Sequence, residues 1–85
     1  MPDITRAAML READYFERSA AVRSDTAAED GERVAADPTR SSHTRACAAR
    51  AAQFARGRAA EYRSMARELR AGEIPDSLDP SALAP

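Results

Sequence analysis

Apolar and small residues recur along the first third of the chain at the spacing of an α-helix. On a helical wheel they fall within about 60° of arc: Met9, Ala13, Phe16, Ala20, Ala27, Gly31 and Val34. Asp3 is placed to cap the start of this helix. Pro38 ends it, because the residue before a proline is steered away from helical backbone. The pattern predicts a helix over about residues 4–36.

A second stripe of the same period follows the proline. Its members are Cys47, Ala51, Phe54, Ala55, Tyr62, Met65, Ala66 and Leu69. Gly72 stands where a left-handed residue closes many helices, and Pro75 prevents further helical turns. A helix over about residues 41–71 is therefore predicted. Residues 73–85 contain three prolines and predict an extended tail.

The short connection over residues 37–40 predicts that residues 1–72 form an antiparallel helical hairpin. Residues whose numbers add to about 75 then face each other. In this register large side chains meet alanines: Phe16 with Ala59, Phe54 with Ala20 and Ala21, Tyr62 with Ala13, and Met9 with Ala66. Such pairs allow close packing. A potential capping box, Thr26 with Glu29, leaves open a break of the first helix near residues 23–26.

Composition limits the size of the core. The chain has 85 residues, enough for one small domain, and its 44% hydrophobic content includes 21 alanines. A core with so few large side chains is thin, and small helical domains commonly compensate by association. We therefore expect an all-α hairpin with a coiled-coil-like contact that pairs with a second copy into a four-helix bundle.

Acidic residues are in excess in the first part of the chain, and arginines are in excess in the second. Residues 1–37 hold nine acids and five arginines, whereas residues 38–71 hold eight arginines and two acids. The two predicted helices thus have opposite charge, which favours their pairing. In the predicted register two ion pairs form across the hairpin, Arg58 with Glu17 and Arg50 with Asp25. The absence of lysine is more simply explained by codon bias than by a demand for guanidinium groups.

The chain shows no sign of export or membrane insertion. Its first 16 residues lack the basic, apolar and small-residue order of a signal peptide, and no run of 18 apolar residues occurs. Cys47 is the single cysteine, which excludes an internal disulfide and suits a reducing compartment. The expected location is the cytoplasm. Cys47 itself is expected to be a small buried residue of the inner stripe.

Candidate catalytic chemistry is sparse. His43 is the single histidine, and no second ligand stands at metal-binding spacing from it. No Gly-rich phosphate loop and no nucleophile–base arrangement occurs. We therefore expect no enzymatic activity, no metal and no cofactor, with His43 either exposed to solvent or acting as a cap at the start of the second helix. No family signature is recognised in the chain.

Three groups of residues are candidates for partner binding. One is an arginine row on the second helix, predicted opposite its apolar stripe: Arg45, Arg56, Arg63, Arg67 and Arg70. Another is a minor apolar set on the first helix, Ile4, Tyr15 and Val22, which the hairpin partner does not cover. The third consists of Ile74 and Leu78 in the tail, which resemble anchors of a linear docking motif. Whether the tail is docked or disordered stays open.

The sequence predicts a non-enzymatic interaction or assembly module, such as a small adaptor, regulator or structural accessory protein. It would self-associate through its apolar stripes and bind another protein. The alternative is a small nucleic-acid-associated regulator that uses the arginine row to contact phosphates. Against this alternative, no aromatic residue stands within the row to stack on bases.

Overall fold

The computed structural model describes residues 4–83 and shows an all-α chain, as the sequence pattern predicted. Helix α1 spans Arg6–Tyr15, a π-helical turn spans Phe16–Ala20, and α2 spans Ala21–Ala35. These three run on from one another as the first long helix. Helix α3 spans Ser42–Arg70, and a 3-10 helix covers Pro80–Leu83. Within the described residues there is no β-strand.

Helix α3 packs along the first long helix in the opposite direction. At the open end Arg6 donates from Nη1 to the carbonyl oxygen of Leu69, at 3.1 Å. Near the turn Arg45 donates from Nε to the carbonyl oxygen of Ala35, at 2.9 Å. These contacts show the antiparallel direction, and the one near the turn lies about five residues off the predicted register. Phe16 stacks on Tyr62, so the predicted pairing of each large side chain with an alanine fails there. The chain forms a rod of 55 × 18 × 18 Å.

Both long helices begin at a hydroxyl cap. Thr5 accepts a hydrogen bond from the backbone N–H of Ala8 at 3.0 Å, and Ser41 accepts one from Thr44 at 3.1 Å. Each hydroxyl satisfies an amide that has no partner inside the helix. Asp3, the predicted cap of the first helix, lies outside the described residues, and Thr5 holds the capping position.

Helix α3 ends in a Schellman motif. Gly72 has a φ of 86°, the left-handed region where glycine is favoured. This backbone lets the N–H of Gly72 reach the carbonyl of Leu69 at 3.1 Å and that of Glu73 reach Glu68 at 2.9 Å. The predicted left-handed cap at Gly72 is confirmed.

The π-helical turn changes which side of the first long helix faces α3. The N–H of Ala21 donates to the carbonyl of Phe16, five residues back, so the turn holds one residue more than an α-helical turn. Before and within this turn the predicted stripe is buried: Met9, Ala13, Phe16 and Ala20. After it Ala28 is buried and Ala27 is exposed, so the prediction for Ala27 was wrong. Helix α2 continues unbroken through residues 23–26.

Helix α3 faces the first long helix with residues alternately three and four positions apart. They are Arg45, Ala48, Ala52, Ala55, Ala59, Tyr62, Ala66 and Leu69. The predicted inner stripe is correct toward the end of α3 but wrong for Cys47, Ala51 and Phe54, which are exposed. Phe54 is 71% exposed and is not packed into the contact with α2.

The contact between α2 and α3 near the turn contains alanine rather than larger residues because the two helix backbones approach closely. A Cβ atom added at Gly31 would lie 2.9 Å from the carbonyl oxygen of Ala48 and 3.1 Å from Cβ of Ala52. No space remains at that point for a larger side chain. The contact near the turn therefore consists of glycine and alanine, and the phenyl ring of Phe54 is excluded from it.

The tail folds back over the open end. Leu83 is 1% exposed and belongs to a core cluster with Met9, Phe16 and Leu69. Leu78 packs against the same cluster, together with Tyr62 and Met65. The tail, predicted to be extended, thus contains a 3-10 turn and is docked through its leucines. The sequence left open whether the tail is docked or disordered, and in the structure it is docked.

Candidate interaction surface

Arginine–carboxylate pairs bridge one flank of the helix pair near the turn. Arg56 donates to Asp25 at 2.9 Å and to Glu32 at 2.7 Å, and Arg63 also binds Asp25. The hydrogen bond from Arg63 lowers the pKa of Asp25, and the one from Arg56 lowers the pKa of Glu32. Asp25 therefore joins two arginines of α3 to α2.

Arginine also bridges the open end of this flank. Arg70 donates to Asp14 at 3.0 Å and also binds Glu17. Of the predicted arginine row, four members contact the first long helix: Arg45, Arg56, Arg63 and Arg70. Arg67 is exposed and takes part in no ion pair within residues 4–83.

The expectation that the row lies on the outer face of the hairpin was wrong for these four. The predicted pairs, Arg58 with Glu17 and Arg50 with Asp25, do not form. Glu17 binds Arg70 instead, because the side of α3 that faces the first long helix differs from the predicted one.

The opposite flank of the helix pair carries an apolar groove of about 580 Å³. We call it the Tyr15–Phe54 groove. Four alanines, a serine, a second tyrosine and two arginines complete its lining: Ala20, Ala27, Ala51, Ala55, Ser24, Tyr62, Arg23 and Arg58. Phe54 and Tyr15 are 71% and 47% exposed. Large aromatic surfaces exposed together are typical of a binding surface.

Aromatic contacts hold the groove's tyrosines in place. Phe16 stacks on Tyr62 with ring centroids 5.7 Å apart and meets Tyr15 edge-on at 5.5 Å. Arg23 donates to the Tyr15 hydroxyl at 2.9 Å, and Arg58 donates to the Tyr62 hydroxyl at 3.4 Å. Within residues 4–83 neither arginine has a carboxylate partner. The rim of the groove is therefore positively charged.

A second depression lies on the other side of Phe54, on the outer surface of α3. We call it the Gly57 hollow; its volume is about 490 Å³, and it is bounded by Arg50, Gln53, Phe54, Gly57, Arg58 and Glu61. A Cβ atom added at Gly57 would meet nothing within 4 Å. The missing side chain leaves room beside an exposed phenyl ring.

The remaining candidate residues are dispersed. Tyr15 lines the groove, whereas Val22, 49% exposed, and Ile4, 36% exposed, are not among its lining residues. In the tail Ile74 is 39% exposed, and Leu78 is half-buried against the core. The structure thus brings Tyr15 together with Phe54 rather than with Ile4 and Val22.

Cys47 and His43 lie near the start of α3, one turn apart. Both are exposed, with the sulfur 3.6 Å from Nε2 of His43. The expected burial of Cys47 was therefore wrong. Within residues 4–83 no three side chains of His, Cys, Asp or Glu are grouped as a metal site would require.

Sequence reasoning missed Phe54 and Gly57 as surface residues. Ala48, Ala52, Ala55 and Ala59 follow a coiled-coil period that places Phe54 outside. Because alanines also lie on other sides of α3, the sequence alone does not single out this stripe.

Comparison of the chain with protein-family models, with curated proteins and with solved structures finds no match. In the described part of the chain no helix combines the length and apolarity that a membrane span needs.

Proposed function

We propose that this chain is a non-enzymatic protein-interaction module of the cytoplasm that self-associates and binds another protein. The observation that carries the proposal is the 71% exposure of Phe54 between the groove and the hollow. A phenyl ring in water contributes nothing to the hairpin's own core. Its burial against a partner would stabilise an assembly by roughly 2 kcal/mol.

The chemistry of the groove favours one kind of protein partner. Its floor is apolar, and Arg23 and Arg58 stand at its rim without carboxylate partners in the described chain. An amphipathic helix with apolar side chains flanked by acids would complement both features. This supports binding of an acidic helical segment as the second activity of the module.

Light scattering across a concentration series tests the self-association. We expect the mass to rise toward at least two chains at high micromolar concentration. Phe54→Ala should lower that mass, whereas Leu10→Ala, a truncation at an exposed position outside the groove, should leave it unchanged. A chain that stays monomeric at high micromolar concentration and melts cooperatively would contradict the self-association.

Four of the five row arginines contact the first long helix, which supports the protein-interaction proposal over the nucleic-acid alternative. A labelled duplex tests it directly. A nucleic-acid binder would shift the duplex at ~50 mM salt and release it by ~200 mM salt. We expect no shift at the lower salt concentration.

A further inference from the structure

The outer surface of α3 carries a second heptad stripe, on the side away from the first long helix. Its eight positions alternate by four and three residues: His43, Cys47, Arg50, Phe54, Gly57, Glu61, Ser64 and Glu68. We call it the outer stripe. Its first six residues are exposed, while Ser64 and Glu68 are half-buried beside the tail. Phe54 is the one large apolar residue of the outer stripe, so a partner helix would meet mainly polar and small side chains along it rather than an apolar coiled-coil seam.

Charge is distributed unevenly along the outer stripe. The half near the turn holds His43 and Arg50, and the half near the tail holds Glu61 and Glu68. Arg50 and the two glutamates take part in no ion pair within residues 4–83. A partner helix of the same sequence running in the opposite direction would set Arg50 of each copy against Glu61 of the other.

Size is complementary at the centre of the stripe. Phe54 protrudes with 71% of its surface exposed, and the neighbouring Gly57 has open space where a side chain would be. The hollow between them is bounded by Arg50 and Glu61, one of each charge. A protruding ring and an adjacent depression on one helix are self-complementary under a two-fold rotation.

We propose that a second copy of this chain docks on the outer stripe, with the two α3 helices antiparallel and a two-fold axis midway between residues 55 and 56. The inference rests on the proposed self-association and adds its partner and register. Four kinds of contact then form, each twice: Phe54 with Gly57, Arg50 with Glu61, His43 with Glu68, and Cys47 with Ser64.

Of this register and the two shifted by one heptad, this one pairs Arg50 with Glu61 and Phe54 with Gly57 together. Moving the second copy by one heptad in one direction sets Arg50 against Phe54. The opposite shift sets Gly57 against Glu61 and leaves Phe54 over Ser64. Either shift leaves the phenyl ring without its depression and leaves at least one charged end of the stripe without a partner. The complementarity of charge and size therefore selects a second copy over an unrelated helix.

An engineered cysteine tests the register. In the Ser64→Cys variant the new thiol lies opposite Cys47 of the second copy, whereas residues 47 and 64 of one chain are roughly 25 Å apart along the helix. Mild oxidation should therefore yield a covalent dimer whose tryptic digest links residues 46–50 to residues 64–67. The wild-type chain should stay uncrosslinked, since its two Cys47 residues are also roughly 25 Å apart. Ser42→Cys, an exposed position off the stripe, is the matched control.

Charge reversal gives an independent test. Arg50→Glu or Glu61→Arg alone should raise the dissociation constant about tenfold, because each sets like charges opposite one another twice. The double variant Arg50→Glu with Glu61→Arg should restore the dissociation constant of the wild-type dimer. Circular dichroism of each variant checks that the helices persist.

The outcomes separate this inference from the proposed function. A chain that is dimeric by light scattering but does not form the 47–64 crosslink, or whose double reversal fails to restore the dissociation constant, overturns the register while self-association stands. A chain that is monomeric at high micromolar concentration overturns both. Crosslinking of Ser64→Cys no faster than Ser42→Cys overturns the proposed interface.

Discussion

At the open end of the molecule Met9, Phe16, Leu69 and Leu83 bury large side chains, whereas the half near the turn buries little beyond alanine and glycine. The tail covers the first region through Leu83. The second has no such cover, and its helices instead touch nearly backbone to backbone at Gly31.

The two regions therefore depend on different physical terms. Burial of apolar area stabilises the open end. The half near the turn is held together by the close approach of the two helix backbones. Arg56 and Arg63 also bridge from α3 to α2 along its flank. A small helical domain thus compensates for a thin core in one half with a tail-covered cluster in the other.

The largest expected effect is at the open end. Leu69 is 0% exposed, and Leu69→Ala should lower the free energy of unfolding by about 2–5 kcal/mol, because it opens a cavity beneath the tail. Leu10→Ala makes the same truncation at a residue 38% exposed and should cost less than about 1 kcal/mol. Urea unfolding followed by circular dichroism measures both. Equal losses would show that the open-end cluster is not the main source of stability.

The turn half should respond to added volume. Gly31→Val would drive new atoms against the Ala48 carbonyl and Ala52, with an expected loss of about 1–3 kcal/mol. Gly57→Ala is the matched control, since its Cβ meets nothing within 4 Å. It should stabilise monomeric α3 by up to about 1 kcal/mol through helix propensity. Urea midpoints at low protein concentration measure the pair, and a stabilising Gly31→Val would refute the close approach.

Acid should weaken the turn half through its carboxylates. Asp25 and Glu32 have pKa values lowered from ordinary values of 3.8 and 4.5 by their arginine partners. The unfolded chain therefore binds more protons than the folded one. The stabilisation is full above those ordinary values and is lost as the pH falls through the lowered pKa values. Urea midpoints measured from neutral to acidic pH should decline less steeply in Asp25→Asn, and parallel declines would contradict the bridge.

The smallest effect on stability is expected at Phe54. In the monomer Phe54→Ala should change the free energy of unfolding by no more than about 0.5 kcal/mol, because the ring contributes little to the core. Phe16→Ala, at a residue 7% exposed, should cost about 3–5 kcal/mol. Thermal and urea unfolding at low protein concentration give the comparison. A large loss for Phe54→Ala would place its ring in the core after all.

Several predictions of which residues are buried came from the helical wheel alone. Some of these predictions are correct and others are wrong. Met9, Ala13, Phe16 and Ala20 are buried as expected, because the extra residue of the π-helical turn shifts only the residues that follow it. Ala27 is exposed since the π-helical turn adds a residue before it, and wheel periodicity cannot detect one extra residue. Cys47, Ala51 and Phe54 were misplaced because alanines occupy several sides of α3 and make more than one inner stripe available.

Local chemistry determined the helices and their ends. Pro38 follows the end of the first long helix, Ser41 caps α3, and Gly72 takes the left-handed conformation that closes it, because each effect acts within a few residues. Tertiary structure alone decided which side of α3 faces inward and which arginines find carboxylates. Those choices depend on how closely two backbones can approach, and that distance is a property of both helices together.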